Sequence, residues 1–329
     1  MPISTTYNPS APTTTSSTGS NKGNREDLSN ELALLAPEET PVLSMCPKAK
    51  ASGVLHEWVI DGLDDPSTAG VLETADVTSF TDKFASRGRL GNYIQKFRRD
   101  YLVSDIQNAV TSVGPANVAQ AEAKAMREIK RDVEAAICSN NDRQADDGTD
   151  PYKFRGLGDW LDASGPSDVP AAYRTPTASI LAAAVTETTL NNQLGSIYEK
   201  TGQMGNLTCV ANIALRKVIA GFSRSEGTTT ATAYNINEDA SSKKITLSVS
   251  LFDSDFGIIR VVNANPKCMP AAATYEGYTL DPKYLSFATL IPMGNTRLEN
   301  QGAGERGYVD MTGTLCVKHP QAHGKIAYS

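Results

Sequence analysis

The strongest pattern of apolar and polar positions predicts a long amphipathic helix over residues 115–142. Apolar side chains recur three and four positions apart, and charged side chains occupy the other faces. Asn117 is the expected N-cap, and Asn140–Asn141 mark the expected end. At 1.5 Å per residue this helix would be about 35–40 Å long, so it should lie along another part of the protein. The predicted apolar stripe is Met126, Ile129, Val133, Ala136 and Ile137. The predicted surface ion pairs are Lys124 with Glu128 and Lys130 with Glu134.

Two stretches before this helix alternate with the period of a β-strand, Gly53–Asp61 and Asn92–Asp105. Neither face of the second stretch is purely apolar, because Arg99 shares a face with Phe97 and Tyr101. A strand that covers its own core normally has one clean apolar face. The pattern therefore predicts a projecting ribbon. Since a lone ribbon is marginally stable in water, another surface, such as another subunit, should support it.

The second half of the chain alternates helical and strand patterns from about residue 177 onward and predicts a mixed α/β unit. A helix ends at Gly202, "LTCVA" is a short buried strand, and "ANIALRKVIAGF" is a second helix. "KKITLSVSLF" and "IIRVV" flank the turn "DSDFG" as a β-hairpin. "YLSFATLI" and "YVDMTGTLCVKH" are further strands.

The N-terminal segment has a different composition. Residues 1–24 are dominated by Ser, Thr, Pro, Asn and Gly, which cannot bury a core. They contain no apolar run, so no signal peptide is expected. The following "DLSNELALLAPEETP" predicts a short helix that Pro37 and Pro41 bring to an end. Its apolar face would consist of Leu28, Leu32 and Leu35.

Composition narrows the function classes. The 329 residues carry a net charge of −6, whereas a general nucleic-acid binder is expected to have a basic excess. The five cysteines are far apart in sequence and odd in number, which argues against a disulfide framework and for a reducing compartment. No stretch of about 18 apolar residues indicates a membrane span.

One motif suggests nucleotide binding: Gly302, Gly304 and Gly307 have the G-x-G-x-x-G spacing of a dinucleotide-binding loop. That loop must be followed by a helix, whose N-terminus receives the pyrophosphate. The residues that follow here alternate with a period of two and predict a strand. The motif is therefore interpreted as a loop that joins two strands, and no cofactor is predicted.

Other candidate sites fail for similar reasons. Cys316, His319 and His323 have zinc-like spacing, but the cysteine lies in a predicted strand and Pro320 separates the histidines. An acidic cluster in a turn lacks the pattern of a calcium-binding loop. No histidine stands in a nucleophile motif, so no catalytic residue is predicted. The acidic cluster is Asp61, Asp64 and Asp65.

A run of basic residues along the predicted ribbon could suggest nucleic acid. Because the whole chain is acidic, a solvated or subunit-facing ribbon is favoured instead. The sequence therefore predicts contacts between subunits, and no metal or cofactor. The predicted contact residues are Lys83, Arg87, Arg89, Phe97, Arg98 and Arg99 on the ribbon, and Leu28, Leu32 and Leu35 on the arm.

The order of these elements resembles the major capsid protein fold of tailed double-stranded DNA phages, shared with the herpesvirus capsid floor. Six phrases, spread from about Glu31 to Ile326, resemble its podophage-type branch. They are "GRLGNYIQKFRRDYLVSDIQNAV", "AMREIKRDVEAAICSN", "FRGLGDWL", "VANIALRKVIAGF", "VSLFDSDFGIIRVV" and "GERGYVDMTGTLCVKHPQAHGKI".

The resemblance implies an α+β fold with an N-arm, an extended β-ribbon loop, a peripheral domain with a long spine helix, and an axial α/β domain. The implied bounds are 1–51 for the arm, 52–103 for the extended loop, 104–176 for the peripheral domain with spine helix 115–142, 177–285 for the axial domain and 286–329 for return strands of the peripheral domain.

The implied function is a major capsid protein that assembles into the icosahedral shell of a virion from pentamers and hexamers. The implied partners are copies of the chain, scaffolding, portal and decoration proteins, and packaged double-stranded DNA bound without sequence specificity. No membrane is implied. Two alternatives stay open: a capsid decoration protein, and a phage nucleotide-dependent enzyme.

Overall fold

The computed structural model describes residues 39–110, 117–202, 206–222, 251–269, 275–302 and 304–328. No helix within these ranges is both long and apolar enough to cross a membrane. The helices are α1 (Pro41–Met45), α2 (Asp105–Ala109), α3 (Val118–Ile137), α4 (Leu157–Trp160), α5 (Glu187–Thr201) and α6 (Ile213–Phe222). The strands are β1 (Lys48–Lys50), β2 (Leu55–Ile60), β3 (Gly88–Tyr93), β4 (Gln95–Val103), β5 (Ile180–Leu181), β6 (Thr208–Ala211), β7 (Leu251–Ser254), β8 (Gly257–Asn263), β9 (Tyr275–Leu280), β10 (Leu285–Leu298), β11 (Glu305–Val317) and β12 (Gly324–Tyr328).

The predicted long helix is α3, although it is shorter than predicted. The Asn117 side chain caps it by accepting a hydrogen bond from the Gln120 amide at 3.0 Å. The helix ends at Ile137, and the Ser139 hydroxyl donates to the Ala136 carbonyl at 2.8 Å. Such local side-chain bonds compete with continuation of the helix. Its 20 residues span about 30 Å. Of the predicted apolar stripe, Ile129, Val133 and Ile137 are buried, and Met126 and Ala136 are half-buried against the same core.

The strand predicted as the second half of a projecting ribbon is β4, and that prediction is wrong. β4 is an edge strand of a four-stranded sheet with the order β1-β10-β11-β4, and it pairs with β11 along its whole length. Phe97 and Tyr101 are buried on the face that α3 covers. Arg99 on the same face meets Asp132 of α3, which explains why this face is not purely apolar. The structural ribbon therefore ends at β3, not at residue 103.

The end of the N-terminal arm is built into this unit. Pro41 begins α1, because proline fits the first helical position. The helix predicted before it lies outside the described ranges. Glu134 of α3 is buried and accepts hydrogen bonds from the amides of Val42 and Leu43 at 2.9 and 2.8 Å. The predicted surface ion pair of Glu134 with Lys130 is therefore wrong. Burial raises the pKa of Glu134.

The second unit is a six-stranded sheet with the order β5-β12-β9-β6-β8-β7. The helix α5 ends at Gly202, where φ is +65°, as the sequence predicts. β7 and β8 form the predicted hairpin. Residues 243–250, predicted as the start of its first strand, lie outside the described ranges. The C-terminal strand β12 pairs with β9 in this sheet. The prediction that residues 324–328 return to the peripheral domain is therefore wrong. The turn Pro320–Ala322 redirects the chain between the two sheets.

The buried apolar residues form two clusters. The cluster around α3 reaches Val210 and Tyr278 of the six-stranded sheet, and a second cluster, with Leu194 of α5 and Leu215 of α6, packs on that sheet. Besides the long connection from β4 to β5, two short segments cross between the sheets, from β9 to β10 and from β11 to β12. The Asp281 amide donates to Nδ1 of His323 at 3.2 Å, which joins these crossings. His323 is completely buried, and this burial lowers its pKa to about 3.

Candidate subunit contact surface

The most exposed part of the described chain is residues 61–87, which we call the extended segment. It leaves the body from β2, returns at β3, and has no residue in a helix or strand. All of its residues are exposed. Its large apolar side chains are between 64% and 101% exposed: Leu63, Val71, Leu72, Val77, Phe80 and Phe84.

The base of the extended segment, in contrast, is firmly attached. β2 pairs with β3 from Ile60 opposite Gly88 to Leu55 opposite Tyr93. The Trp58 ring lies 5.7 Å from that of Trp160, which is buried, so both tryptophans pack at this base. The extended segment is therefore held on a rigid support.

Asn92 ties the base to the body. Its side-chain amide donates to the Leu315 carbonyl at 2.8 Å and to the Arg155 carbonyl at 3.2 Å. Its carbonyl oxygen accepts from the Arg155 amide at 2.7 Å. Asn92 is fully buried, and a buried polar side chain with all these partners fixes one geometry.

Arg155 itself is buried, and three carboxylates surround its guanidinium group. Asp142, Asp159 and Asp168 lie 2.6, 2.8 and 2.7 Å from its nitrogens, and the Trp160 ring centroid is 4.8 Å away. Hydrogen bonds from Arg155 lower the pKa of Asp168 against the opposing effect of burial. The cluster joins the loops beside β3, and its components are scattered in sequence without a motif that would have predicted it.

Ion pairs and hydrogen bonds link the two ends of the extended segment to each other. Arg87 pairs with Asp61 at 3.0 Å, and the Ser86 hydroxyl donates to the same carboxylate at 3.1 Å. Lys83 pairs with Asp64. The hydrogen bond from Arg87 is the main cause of the lowered pKa of Asp61. Asp61 and Asp64, which were considered above as calcium ligands, thus face basic side chains of their own segment.

The predicted basic contact residues all have partners inside the subunit. Besides Lys83 and Arg87, Arg89 pairs with Glu57 of β2. Arg99 forms two 2.7 Å hydrogen bonds with Asp132, which raise its pKa, and Arg98 lies over a tyrosine ring. Carboxylates balance four of these five charges, all except that of Arg98, so the five residues define no uniform basic patch for nucleic acid.

The apolar contact predictions have different outcomes. Phe97 is only 7% exposed and packs in the core of its own subunit, so it is not a surface contact residue. The mixed pattern of β4 led to this wrong prediction. The arm residues Leu28, Leu32 and Leu35 lie outside the described ranges.

Sequence reasoning missed the apolar residues of the extended segment. They stand singly among turn-forming residues, without helical or strand periodicity, so no pattern marked them. Single exposed apolar residues are common, whereas six within one fully exposed segment are unusual. The weak signal available was the presence of two phenylalanines, Phe80 and Phe84, in a segment that cannot form a core.

The glycine motif joins β10 to β11, as predicted. Gly302 and Gly304 have φ values of +92° and +123°, and Gly307 lies in β11. A Cβ atom on Gly304 would lie 2.2 Å from the Val103 carbonyl oxygen. The glycines are needed for a tight turn and a close approach to β4, and the following strand leaves no helix N-terminus for a phosphate.

The zinc-like residues do not form a site. Cys316 is buried in β11, and His323 uses Nδ1 for the Asp281 amide. The ring of His319 packs edge-on against Tyr284. Across the described ranges, no three His, Cys, Asp or Glu side chains are grouped so that they could hold a metal ion.

Comparison with known proteins identifies this architecture. The family model described as SU10 major capsid protein matches residues 11–328. Among solved structures, a chain of the cyanophage P-SCSP1u capsid is 15% identical, with a TM-score of 0.57 and 99% of each chain covered. A chain of the native GTA particle capsid is 13% identical, with a TM-score of 0.61, covering 95% of this chain and 97% of that one.

A structure from Mycobacterium phage Che8 is 14% identical, with a TM-score of 0.55, and covers 94% of this chain and 98% of that one. At these identities the solved structures show the fold alone. No curated protein matches the chain by sequence. The family match over nearly the whole chain carries the assignment: the protein belongs to the SU10 major capsid protein family and forms the capsid shell of a virion.

Proposed function

We propose that the extended segment holds each subunit onto a neighbouring subunit in the shell. The observation that carries this proposal is the near-complete exposure of Leu63 and Phe80, at 101% and 90%, on a segment whose residues are all exposed. A neighbour that covers these side chains would gain about 25 cal/mol for each Å² of apolar surface removed from water.

The shell would be built from pentamers and hexamers of this one chain. Contacts between single subunits can be weak, because each subunit makes many contacts at once and their effects multiply. The four-stranded unit with α3 would act as the peripheral domain, and the six-stranded unit as the axial domain around the symmetry axes. The structure supports this division through its two sheets, which two short crossings connect.

Further partners follow from the role of a shell. Scaffolding and portal proteins would guide assembly, decoration proteins would bind outside, and double-stranded DNA would fill the inside. The net charge of −6 and the locally paired arginines support a shell that does not bind its genome tightly.

The role would be structural rather than enzymatic. The glycine motif lies between two strands, and His323 is completely buried behind the crossings. Around the buried Arg155, three carboxylates face one guanidinium group. These features support packing functions for the residues that otherwise suggest catalysis.

The experiment is to express the full chain with Leu63→Asp and Phe80→Asp combined, and to score shells by electron microscopy and light scattering. We expect assembly to fall at least tenfold, with an unchanged free energy of unfolding for the free subunit. The matched control is Thr78→Asp, which adds a charge to the same exposed segment without removing an apolar group.

Wild-type yields of shells from the double variant would contradict the proposed contact. Loss of shells in Thr78→Asp as well would show that charge, not apolar contact, governs the segment, and would also contradict it.

A further inference from the structure

A groove of about 640 Å³ lies beside the point where the arm enters the body. Its lining includes Ala211 at the end of β6 and Ala264 just after the parallel strand β8. The first turn of α6 contributes Ile213, which is 47% exposed. Pro266 also lines the groove. We call this surface the arm groove.

The arm groove also carries positive charge. Arg216 and Lys217 of α6 line it, and Arg216 donates to the Val261 carbonyl at 2.9 Å, which holds its guanidinium in place. The groove therefore suits a segment that combines apolar side chains with acidic ones.

The described part of the arm begins at this groove. Glu39 is one of its lining residues, and the Asn265 side-chain amide donates to the Glu39 carbonyl at 2.8 Å. Just beyond, Glu134 fixes α1 through two hydrogen bonds. Leu35 stands four residues before Glu39, so even a fully extended chain keeps it within about 14 Å of the groove.

The arm sequence has the matching chemistry. Leu28, Leu32 and Leu35 fall on one face if residues 26–36 are helical, and Pro37 separates this helix from Glu39. The same stretch carries four acidic residues, whose negative charges complement those of Arg216 and Lys217. The acidic residues of this stretch are Glu26, Asp27, Glu31 and Glu38.

We propose that in the unassembled subunit residues 26–38 dock in the arm groove of their own chain, with the leucine face against Ile213. The short connection gives the arm an effective concentration on the order of millimolar at this groove, which a second copy reaches only at high protein concentration. An arm docked on its own subunit is unavailable to neighbours, so any contact of its leucines with another subunit requires release first.

Glu39 also lines a second hollow. It is lined by Thr40, Pro41, Ser44, Arg127 and Lys130. It offers charge but lacks a large exposed apolar residue such as Ile213, so it does not match the leucine face. This difference makes the choice between the two surfaces testable.

The test is hydrogen exchange measured by mass spectrometry on the full chain, at concentrations where light scattering shows only free subunits. A helix of about eleven residues is marginal alone in water, so slow exchange would report docking. We expect amides of residues 28–36 to exchange at least tenfold more slowly than in an unfolded chain. Leu32→Asp and Ile213→Asp should each abolish this protection, and combining them should have no added effect.

Two matched controls should retain the protection: Leu34→Asp, off the leucine face, and Ile258→Asp, at an exposed isoleucine of β8. Unprotected arm amides in the wild type would overturn the proposal. So would protection that survives Ile213→Asp but is lost in Lys130→Glu, which would place the arm in the second hollow. Protection that rises with a tenfold increase in protein concentration would indicate the groove of another copy and would also overturn it. None of these outcomes depends on shell formation, so the result is independent of the contact proposed for the extended segment.

Discussion

The helix α3 and the extended segment carry comparable apolar residues but place them in opposite environments. Ile129 of α3 is completely buried by the sheet beneath it, whereas Phe80 of the extended segment is 90% exposed. Both regions pair their charges locally, Arg99 with Asp132 and Arg87 with Asp61. The difference between them is therefore apolar burial, not electrostatics.

This comparison separates two requirements on one sequence. The α3 region buries its apolar surface within the chain and so determines whether the subunit folds. The extended segment leaves its apolar surface uncovered and so depends on a partner. Substitutions in the two regions should accordingly affect different measurements.

The largest expected effect on stability is that of Ile129→Ala. Removing a fully buried isoleucine side chain leaves a cavity and should cost about 2–5 kcal/mol of unfolding free energy. The matched substitution Leu72→Ala, at a residue 79% exposed in the extended segment, should change it by less than about 0.5 kcal/mol. Urea denaturation of the two variants checks both values, and equal losses would break the comparison.

The second-largest expected effect is a loss of unfolding free energy in acid. Burial lowers the pKa of His323 from 6.5 to about 3, so the unfolded chain takes up a proton there before the folded chain does. Stability is then lost as the pH falls from about 6.5 toward 3, by an amount on the order of 4 kcal/mol. His319, whose pKa burial also lowers, acts in the same direction.

His323→Gln should flatten this pH dependence, because glutamine can still accept from the Asp281 amide but does not titrate. His56→Gln on β2 serves as the control, since His56 is less buried. Denaturation curves at several pH values would decide the matter. Parallel losses in wild type and His323→Gln would exclude His323 as the source.

A smaller difference is expected within the glycine motif. Gly302 and Gly304 both have positive φ, so alanine should cost about 1–3 kcal/mol at either position. Only at Gly304 would the added Cβ also clash with β4, so Gly304→Ala should lose at least about 1 kcal/mol more than Gly302→Ala. Melting temperatures of the two variants test this, and an equal loss would mean that the loop does not belong to the tightly packed region.

The smallest effect is expected for the charges of the extended segment. Arg87→Ala removes an exposed ion pair with Asp61, and such pairs contribute about 0–1 kcal/mol. The free subunit should unfold at nearly the same urea concentration as wild type. A loss above 2 kcal/mol would show that the segment is part of the folding unit after all.

The sequence predicted the elements that local patterns control. Asn117 caps α3, Gly202 ends α5, and the alternation after Gly307 gives β11, all as expected. In each case a residue type has a conformational preference that acts within a few neighbours. The order of these elements then supported the resemblance to a capsid fold.

The errors arose where distant residues decide the outcome. The inward side of β4 contains Arg99 because Asp132, 33 residues later, receives it. Glu134 looked like a surface residue because its partners, Val42 and Leu43, precede it by about 90 positions. Which sheet a short strand such as β12 joins likewise depends on its partner β9, not on its own five residues.

The central claim is that a neighbouring subunit covers the extended segment. The most direct measurement is an electron cryomicroscopy map of shells assembled from the full chain, traced through residues 61–87. The account predicts that the side chains of Leu63 and Phe80 lie in apolar contact with an adjacent subunit. A map that shows both side chains facing solvent in every subunit of a closed shell would contradict it.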